Sequence, residues 1–340
     1  MGTLKIGSAS NRAGVTINPS TVLFNDNNVK SIKNGLIEIW SNVKALVPTM
    51  TSNTTPYGEA KCSNYYEVKY DAYRVFGGNQ NVDTEFSWIT AGNVNSNQWV
   101  QYKFVSPAIV TKVKFRTSWQ NQGIPKNIKI QASNNGSTFD TIYEVLNTKD
   151  TVKTDVEFEF NNDKPYLYWR FYIVDSYAGD YNRTGLASLQ FYGSQLVALI
   201  PTMTSNTDSR GVVSASSIYH NNYDSWKAFD GDLKTGWVAG SGKTDNHVQY
   251  TFNSPVTAKI IEINTIYTTN HSTHTMILYV MNENDEWVVD QECSVSFNNE
   301  HYFFELKNKS KIKGIKLFFA NAMFVAQVRA DIVANVQLYG

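Results

Sequence analysis

Cysteine is nearly missing from this chain: Cys62 and Cys293 are the only two in 340 residues. That excludes a disulfide framework, and both are expected to be free, mostly buried thiols. No apolar run reaches the roughly 18 residues that a transmembrane helix needs. Met1 to Ser10 has no apolar signal-type core, and Ile6 stands where a myristoylation motif wants Ser or Thr. The expectation is a chain made in a bacterial cytoplasm without a signal peptide. Charge of one sign is not in excess either: 30 basic residues balance 30 acidic ones and the pI is near 7.0. No global field therefore draws the chain to nucleic acid or anionic membrane, and a partner must be recognised locally.

Catalytic signatures are equally scarce. The sequence has no Gly-x-Ser-x-Gly elbow, no His-Glu-x-x-His and no Cys/His nucleophile pair. Gly240-Ser241-Gly242-Lys243-Thr244 mimics half a P-loop, but Trp237 occupies the position of its first glycine and no βαβ pattern surrounds it. His271 and His274 are spaced like zinc ligands yet sit in a polar run with no third Cys or His nearby. Scattered Asp and Glu leave a paired-carboxylate glycosidase open. The balance favours binding over catalysis, and the chain is expected not to be an enzyme.

What is present is aromatic and repetitive. Hydrophobic residues make up 42% and aromatics 14%, led by 20 Tyr and 18 Phe, enough for packed cores and suggestive of strands. Ala45-Leu46-Val47-Pro48-Thr49-Met50-Thr51-Ser52-Asn53-Thr54 returns at an offset of 153 as Ala198-Leu199-Ile200-Pro201-Thr202-Met203-Thr204-Ser205-Asn206-Thr207. Tyr70-Asp71-Ala72-Tyr73-Arg74-Val75-Phe76-Gly77-Gly78 answers Tyr223-Asp224-Ser225-Trp226-Lys227-Ala228-Phe229-Asp230-Gly231 at the same offset. Further on, Val100-Gln101-Tyr102 matches Val248-Gln249-Tyr250, and Leu189-Gln190-Phe191-Tyr192-Gly193 matches Val336-Gln337-Leu338-Tyr339-Gly340, at offsets of 148 and 147. A period this long is a whole domain rather than a solenoid repeat. The predicted organisation is an N-terminal segment 1–44 and two copies of one domain, 45–193 and 194–340. The join contains no Gly/Ser or Pro-rich tract, so a short linker and a restricted angle between copies are expected. A Cys62–Cys293 link would have to cross between the copies.

Val110 to Arg116, Ile128 to Ala132, Val156 to Phe160 and Leu167 to Val174 read as strands, separated by turn clusters such as Asn134-Asn135-Gly136-Ser137. An all-β fold of antiparallel sandwiches or barrels follows for each copy. Thr21 to Phe24, Val29 to Lys33 and Leu36 to Trp40 read as small strands, with Asn34-Gly35 a hairpin turn. A segment that short completes its core against a partner or against the first copy.

The second copy, through Trp226-Lys227-Ala228-Phe229-Asp230-Gly231-Asp232, Thr235-Gly236-Trp237, Val248-Gln249-Tyr250-Thr251-Phe252 and the closing Gln337-Leu338-Tyr339-Gly340, resembles the discoidin or coagulation factor 5/8 type C domain. That grouping includes family 32 carbohydrate-binding modules, and the first copy is similar to a divergent relative. The resemblance implies two tandem discoidin-like jelly-roll sandwiches. Phe24 through Trp40 is similar to short β modules at the start of phage tail and baseplate proteins. It implies attachment to other virion or tail proteins and several chains per particle.

The resemblance also implies sites. Its Asp-Gly-Asp loop often holds structural calcium, which here would use Asp230, Asp232 and Thr235 with carbonyls near Lys227; Asn335 stands where the family has a Glu. The alternative is a turn held by its own Asp side chains. Sugar recognition needs flat apolar faces and oriented polar groups on loops. The candidates are Trp88, Trp119, Tyr177, Tyr181 and Arg183 in the first copy, and Tyr267, His271, His274 and Arg329 in the second. Trp99, Trp226 and Trp237 are assigned to the core. The expected function is a non-enzymatic particle adhesin binding a host-surface glycan; a purely structural virion protein and the carbohydrate-targeting module of a bacterial surface protein are the alternatives.

Overall fold

The computed structural model describes residues 44–77, 88–118, 123–178, 182–240, 246–266, 273–297, 300–319 and 332–340. The small strands expected between residues 21 and 40 lie outside that set. The chain is nearly all β, with a few short 3-10 turns. Its first half carries β1 (Lys44–Ala45), β2 (Glu59–Cys62), β3 (Trp88–Ile89), β4 (Gln98–Thr117), β5 (Pro125–Ser133), β6 (Asp140–Val145), β7 (Asp155–Glu159), β8 (Tyr166–Ser176) and β9 (Gly185–Gln195). The second carries β10 (Gly211–Ala215), β11 (Asn246–Val256), β12 (Ile260–Ile266), β13 (Thr273–Met281), β14 (Trp287–Ser296), β15 (His301–Glu305), β16 (Ile312–Phe319) and β17 (Ile332–Tyr339). All four strands expected in the first half are present, within β4, β5, β8 and, to one residue, β7.

Pairing is antiparallel throughout these strands. β4 serves two layers. Its start pairs with β2 and β8 and its end with β7 and β9, with the register against β8 shifting between Lys103 and Ala108. The front layer therefore runs β2-β4-β8-β5-β6, and β7-β4-β9 forms the back. The second half splits the same order into two sheets, β10-β11-β16-β13-β14 and β15-β12-β17. Strand alternation explains the core: Val100, Tyr102 and Phe104 are buried while Trp99 and Lys103, on the other face of β4, are only half-buried. Trp99 is thus not core, in contrast to Trp237, which is 1% exposed, and Trp226, which packs against the second core.

Buried residues form two main clusters, one drawn from Leu46 to Phe191 and the other from Ile200 to Leu338. Each is closed by the same side-chain clamp. Gln190 accepts from the Val47 amide and donates to its carbonyl, both at 2.9 Å. Gln337 does so with Ile200 at 3.1 and 2.8 Å. A carboxylate likewise starts a 3-10 turn in each half: Asp71 accepts from Ala72 N–H and from Asn53 Nδ2, and Asp224 from Ser225 N–H and Asn206 Nδ2. These short polar side chains satisfy backbone groups that the turn leaves open.

Residues 194–199 bond to both halves. Leu196 N–H donates to Pro107 O at 2.9 Å, Val197 and Gly340 exchange two bonds at 3.0 Å, and Leu199 N–H reaches Leu338 O at 2.7 Å. Leu196, Ile260 and Tyr339 bury a small third cluster beside this segment. Cys293 is buried and Cys62 half-buried, and neither is bridged. Burial pushes the two thiols up, to about 11 and about 12 respectively.

Candidate functional site

In both halves, the loop that leaves the first front strand is pinned from below by an indole. Trp88 Nε1 donates to Asn64 O and Trp237 Nε1 to Ser217 O, each at 2.9 Å. The next residues bond alike: Tyr66 N–H to Ile89 O at 2.9 Å, Tyr219 N–H to Val238 O at 2.8 Å. Asn64 is fixed further, accepting from Ala91 N–H at 2.8 Å and donating to Gln98, which also accepts from Ser63 Oγ. Ser217 Oγ accepts from Gly240 N–H at 2.9 Å.

These anchors hold aromatic rings at the surface. Tyr66 is 44% exposed and its ring centroid lies 6.1 Å from that of Tyr70. Tyr219 is 61% exposed and lies 6.2 Å from Tyr223. Arg183 stacks on Tyr66, its Cζ 3.6 Å from the ring centroid, and Tyr65, 41% exposed, adjoins. A rigid loop presenting flat rings beside a planar cation can take a ligand with an apolar face and hydroxyl groups. Gly123 makes room for Arg183: its φ is +80°, and a Cβ there would fall 2.0 Å from Arg183 O.

The expected site residues separate on this map. Arg183 lies against the Tyr66 ring at the loop surface. Trp88 does not: it is 0% exposed, pairs cross-strand with Leu186 and supports the loop from the core. It is the counterpart of Trp237, an equivalence hidden because their offset is 149 rather than 153. Tyr177 is half-buried, and its hydroxyl donates to Thr148 O at 2.6 Å. His274 sits in β13 opposite Val295 rather than in a loop, and its side chain lies outside what is described. Trp119, Tyr181, Tyr267, His271 and Arg329 fall outside the described residues. Tyr66 and Tyr219 escaped sequence reasoning, although extending the offset of 153 four residues back from Tyr70 and Tyr223 reaches both.

The Asp230 loop is a self-bonded turn. Asp230 accepts from Asp232 N–H at 2.9 Å and from Thr235 Oγ1 at 2.5 Å, Asp232 accepts from Lys234 N–H at 2.9 Å, and Asn335 Oδ1 accepts from Gly231 N–H at 3.2 Å. Every donor a cation could find here is an oxygen, which suits calcium, and two of the groups carry charge. Among the described residues no group of three or more His, Cys, Asp or Glu side chains is placed to hold a metal ion together.

Residues 59–187 match the family described as F5/8 type C domain. No curated protein matches the chain. Among solved structures, the chain is similar to a fucolectin from striped bass (Morone saxatilis) serum, at 15% identity over 88% of this chain and 99% of that one, with a TM-score of 0.37. It is also similar to the chitosan-binding module 1 of a chitosanase/glucanase from Paenibacillus, at 19% identity over 45% and 100%, TM-score 0.36. A third likeness is the family 32 carbohydrate-binding module of Clostridium perfringens NanJ in complex with galactose, at 18% identity over 43% and 99%, TM-score 0.35.

Proposed function

We propose that the protein is a non-enzymatic carbohydrate-binding adhesin built from two copies of an F5/8 type C sandwich, 45–193 and 194–340, and that residues 1–44 fasten it to a phage or phage-tail-like particle. The observation that carries the reading is the recurrence of one arrangement in both halves: an exposed tyrosine on an indole-anchored loop, paired with a half-buried one, Tyr66 with Tyr70 and Tyr219 with Tyr223. The F5/8 type C match over 59–187 supports it. The tyrosines stack on pyranose C–H faces, and Arg183 offers donors to sugar hydroxyls in the first copy. Weak single sites become useful through two copies per chain and several chains per particle. Where calcium is bound, Asp230, Asp232 and Thr235 would hold it, and it would stiffen the loop without touching the sugar.

The test uses labelled full-length protein on galactose-bearing glycan, the sugar bound by the similar Clostridium perfringens module. Saturable binding that free sugar competes away is expected, weakened about tenfold by Tyr66→Ala or Tyr219→Ala. Binding unchanged in both variants would remove the tyrosine loops. A particle that still incorporates the protein after deletion of 1–44 would remove the attachment role.

A further inference from the structure

The outward face of the first half's front sheet differs from an ordinary solvated strand surface. Cross-strand partners share a face, and the register pairs Trp99 with Tyr172, Gln101 with Arg170 and Lys103 with Tyr168. Trp169 and Phe171 point the other way, into the core. The outward side therefore shows aromatic side chains in adjacent rows with cations between them. Arg170 lies between two rings, its Cζ 4.1 Å from the Trp99 centroid and 3.6 Å from that of Phe139. Its Nε and Nη2 donate to Gln101 Oε1 at 3.2 and 2.8 Å, while Nη1 makes no hydrogen bond among the described residues. Lys103 Nζ stands 5.4 Å from the Tyr168 ring centroid.

The charge on this face is not neutralised. In these rows Lys61, Lys103, Lys129 and Arg170 meet only Glu59 and Glu144. Lys129 and Glu144 pair with each other at 2.8 Å, whereas Lys61, Lys103 and Arg170 form no ion pair among the described residues. The second half rebuilds the central element from different residues. Lys316, cross-strand from Gln249 as Arg170 is from Gln101, lies 4.3 Å from the Trp287 centroid and 5.1 Å from that of Tyr279. A cation kept beside aromatic rings in both halves, while the residues themselves differ, is a built part of the sheet. In the second half Thr251 takes the place of Lys103, and the flanking positive charge is gone.

We propose that this face of the first half is a second binding surface, separate from the Tyr66 loop, for a linear carboxylated polysaccharide. A uronate carboxylate meets the Arg170 guanidinium, and successive pyranose faces lie on Trp99, Tyr168 and Tyr172. A planar guanidinium matches a carboxylate in geometry, and flanking rings that thin its water shell strengthen the attraction. Burial lowers the Arg170 pKa to about 10, so the group stays charged at neutral pH. A polyol phosphate chain supplies the negative charge but no pyranose faces for the rows of rings. The surface does not depend on the tyrosine loops being sugar sites.

The deciding experiment compares full-length protein with Arg170→Gln, Lys61→Glu and Tyr66→Ala variants for binding to immobilised polygalacturonate, a neutral galactan and poly(glycerol phosphate). Expected is retention on polygalacturonate that falls with added salt, about tenfold weaker in Arg170→Gln, weaker in Lys61→Glu and unchanged in Tyr66→Ala. Lys61 is exposed, so its variant tests the charge without disturbing the packing around Arg170. Wild-type affinity in both charge variants, no retention of the wild type, or equal retention on poly(glycerol phosphate) would each overturn the proposal. Loss in Tyr66→Ala alone would assign polygalacturonate to the loop and overturn it as well.

Discussion

Glu262 and His301 meet between adjacent strands of the second back sheet, with 2.6 Å from Oε1 to Nε2. The same carboxylate accepts from Tyr339 OH at 2.6 Å and from Asn264 Nδ2 at 3.3 Å. Burial alone would raise the Glu262 pKa, and these hydrogen bonds overcome it, leaving the group below the usual glutamate range.

Because the folded value lies below the unfolded one, Glu262 stabilises the fold fully above the unfolded glutamate pKa, about 4.3, and the contribution disappears as pH falls through the folded value. Glu262→Gln should cost about 1–3 kcal/mol at pH 7 and reduce the loss of stability between pH 5 and pH 3. Urea unfolding at several pH values checks this; an acid limb identical to the wild type would show that Glu262 is not its source.

Trp88→Phe should act on stability alone. The change leaves a void under the loop and the Asn64 carbonyl without its indole partner, at a cost of about 2–4 kcal/mol. Glycan affinity measured well below the melting range should stay within about twofold, since the indole supports the loop without reaching its surface. A large affinity loss in a protein of unchanged stability would put Trp88 back at the ligand.

Calcium is expected to raise the melting temperature by a few degrees over chelator-treated protein, because binding to the folded state alone adds a stabilisation of RT ln(1 + [L]/Kd). Asp230→Asn should abolish the difference, because Asp230 is the carboxylate at the centre of the turn. Identical curves with calcium and with chelator would leave the loop as a self-bonded turn.

Much of the fold was legible because strands write themselves as alternation, and the doubled Leu-x-Pro-Thr-Met-Thr-Ser-Asn segment sets the register of the two halves against each other. Trp99 departs from the expected core for a simple reason: Val100, Tyr102 and Phe104 already fill the inward parity of its strand, which leaves the indole on the outer face. Nothing in the local sequence ties Trp88 to Trp237, because the stretch before it breaks the repeat. The loop tyrosines are ordinary residues in composition. The backbone bonds of Tyr66 to Ile89 and of Tyr219 to Val238, together with their exposed rings, single them out.

The way the chain enters and leaves the first half has a mechanical consequence. Lys44 pairs with Gly193 at one edge of the sheet, and residues 194–199 depart from the same place to bond with Gly340 and Leu338. Tension applied ahead of residue 44 and resisted by a ligand on the second half therefore runs through neighbouring positions at that edge. The first core lies off the line of pull, and the force meets the short β1 pairing before it meets a packed interior.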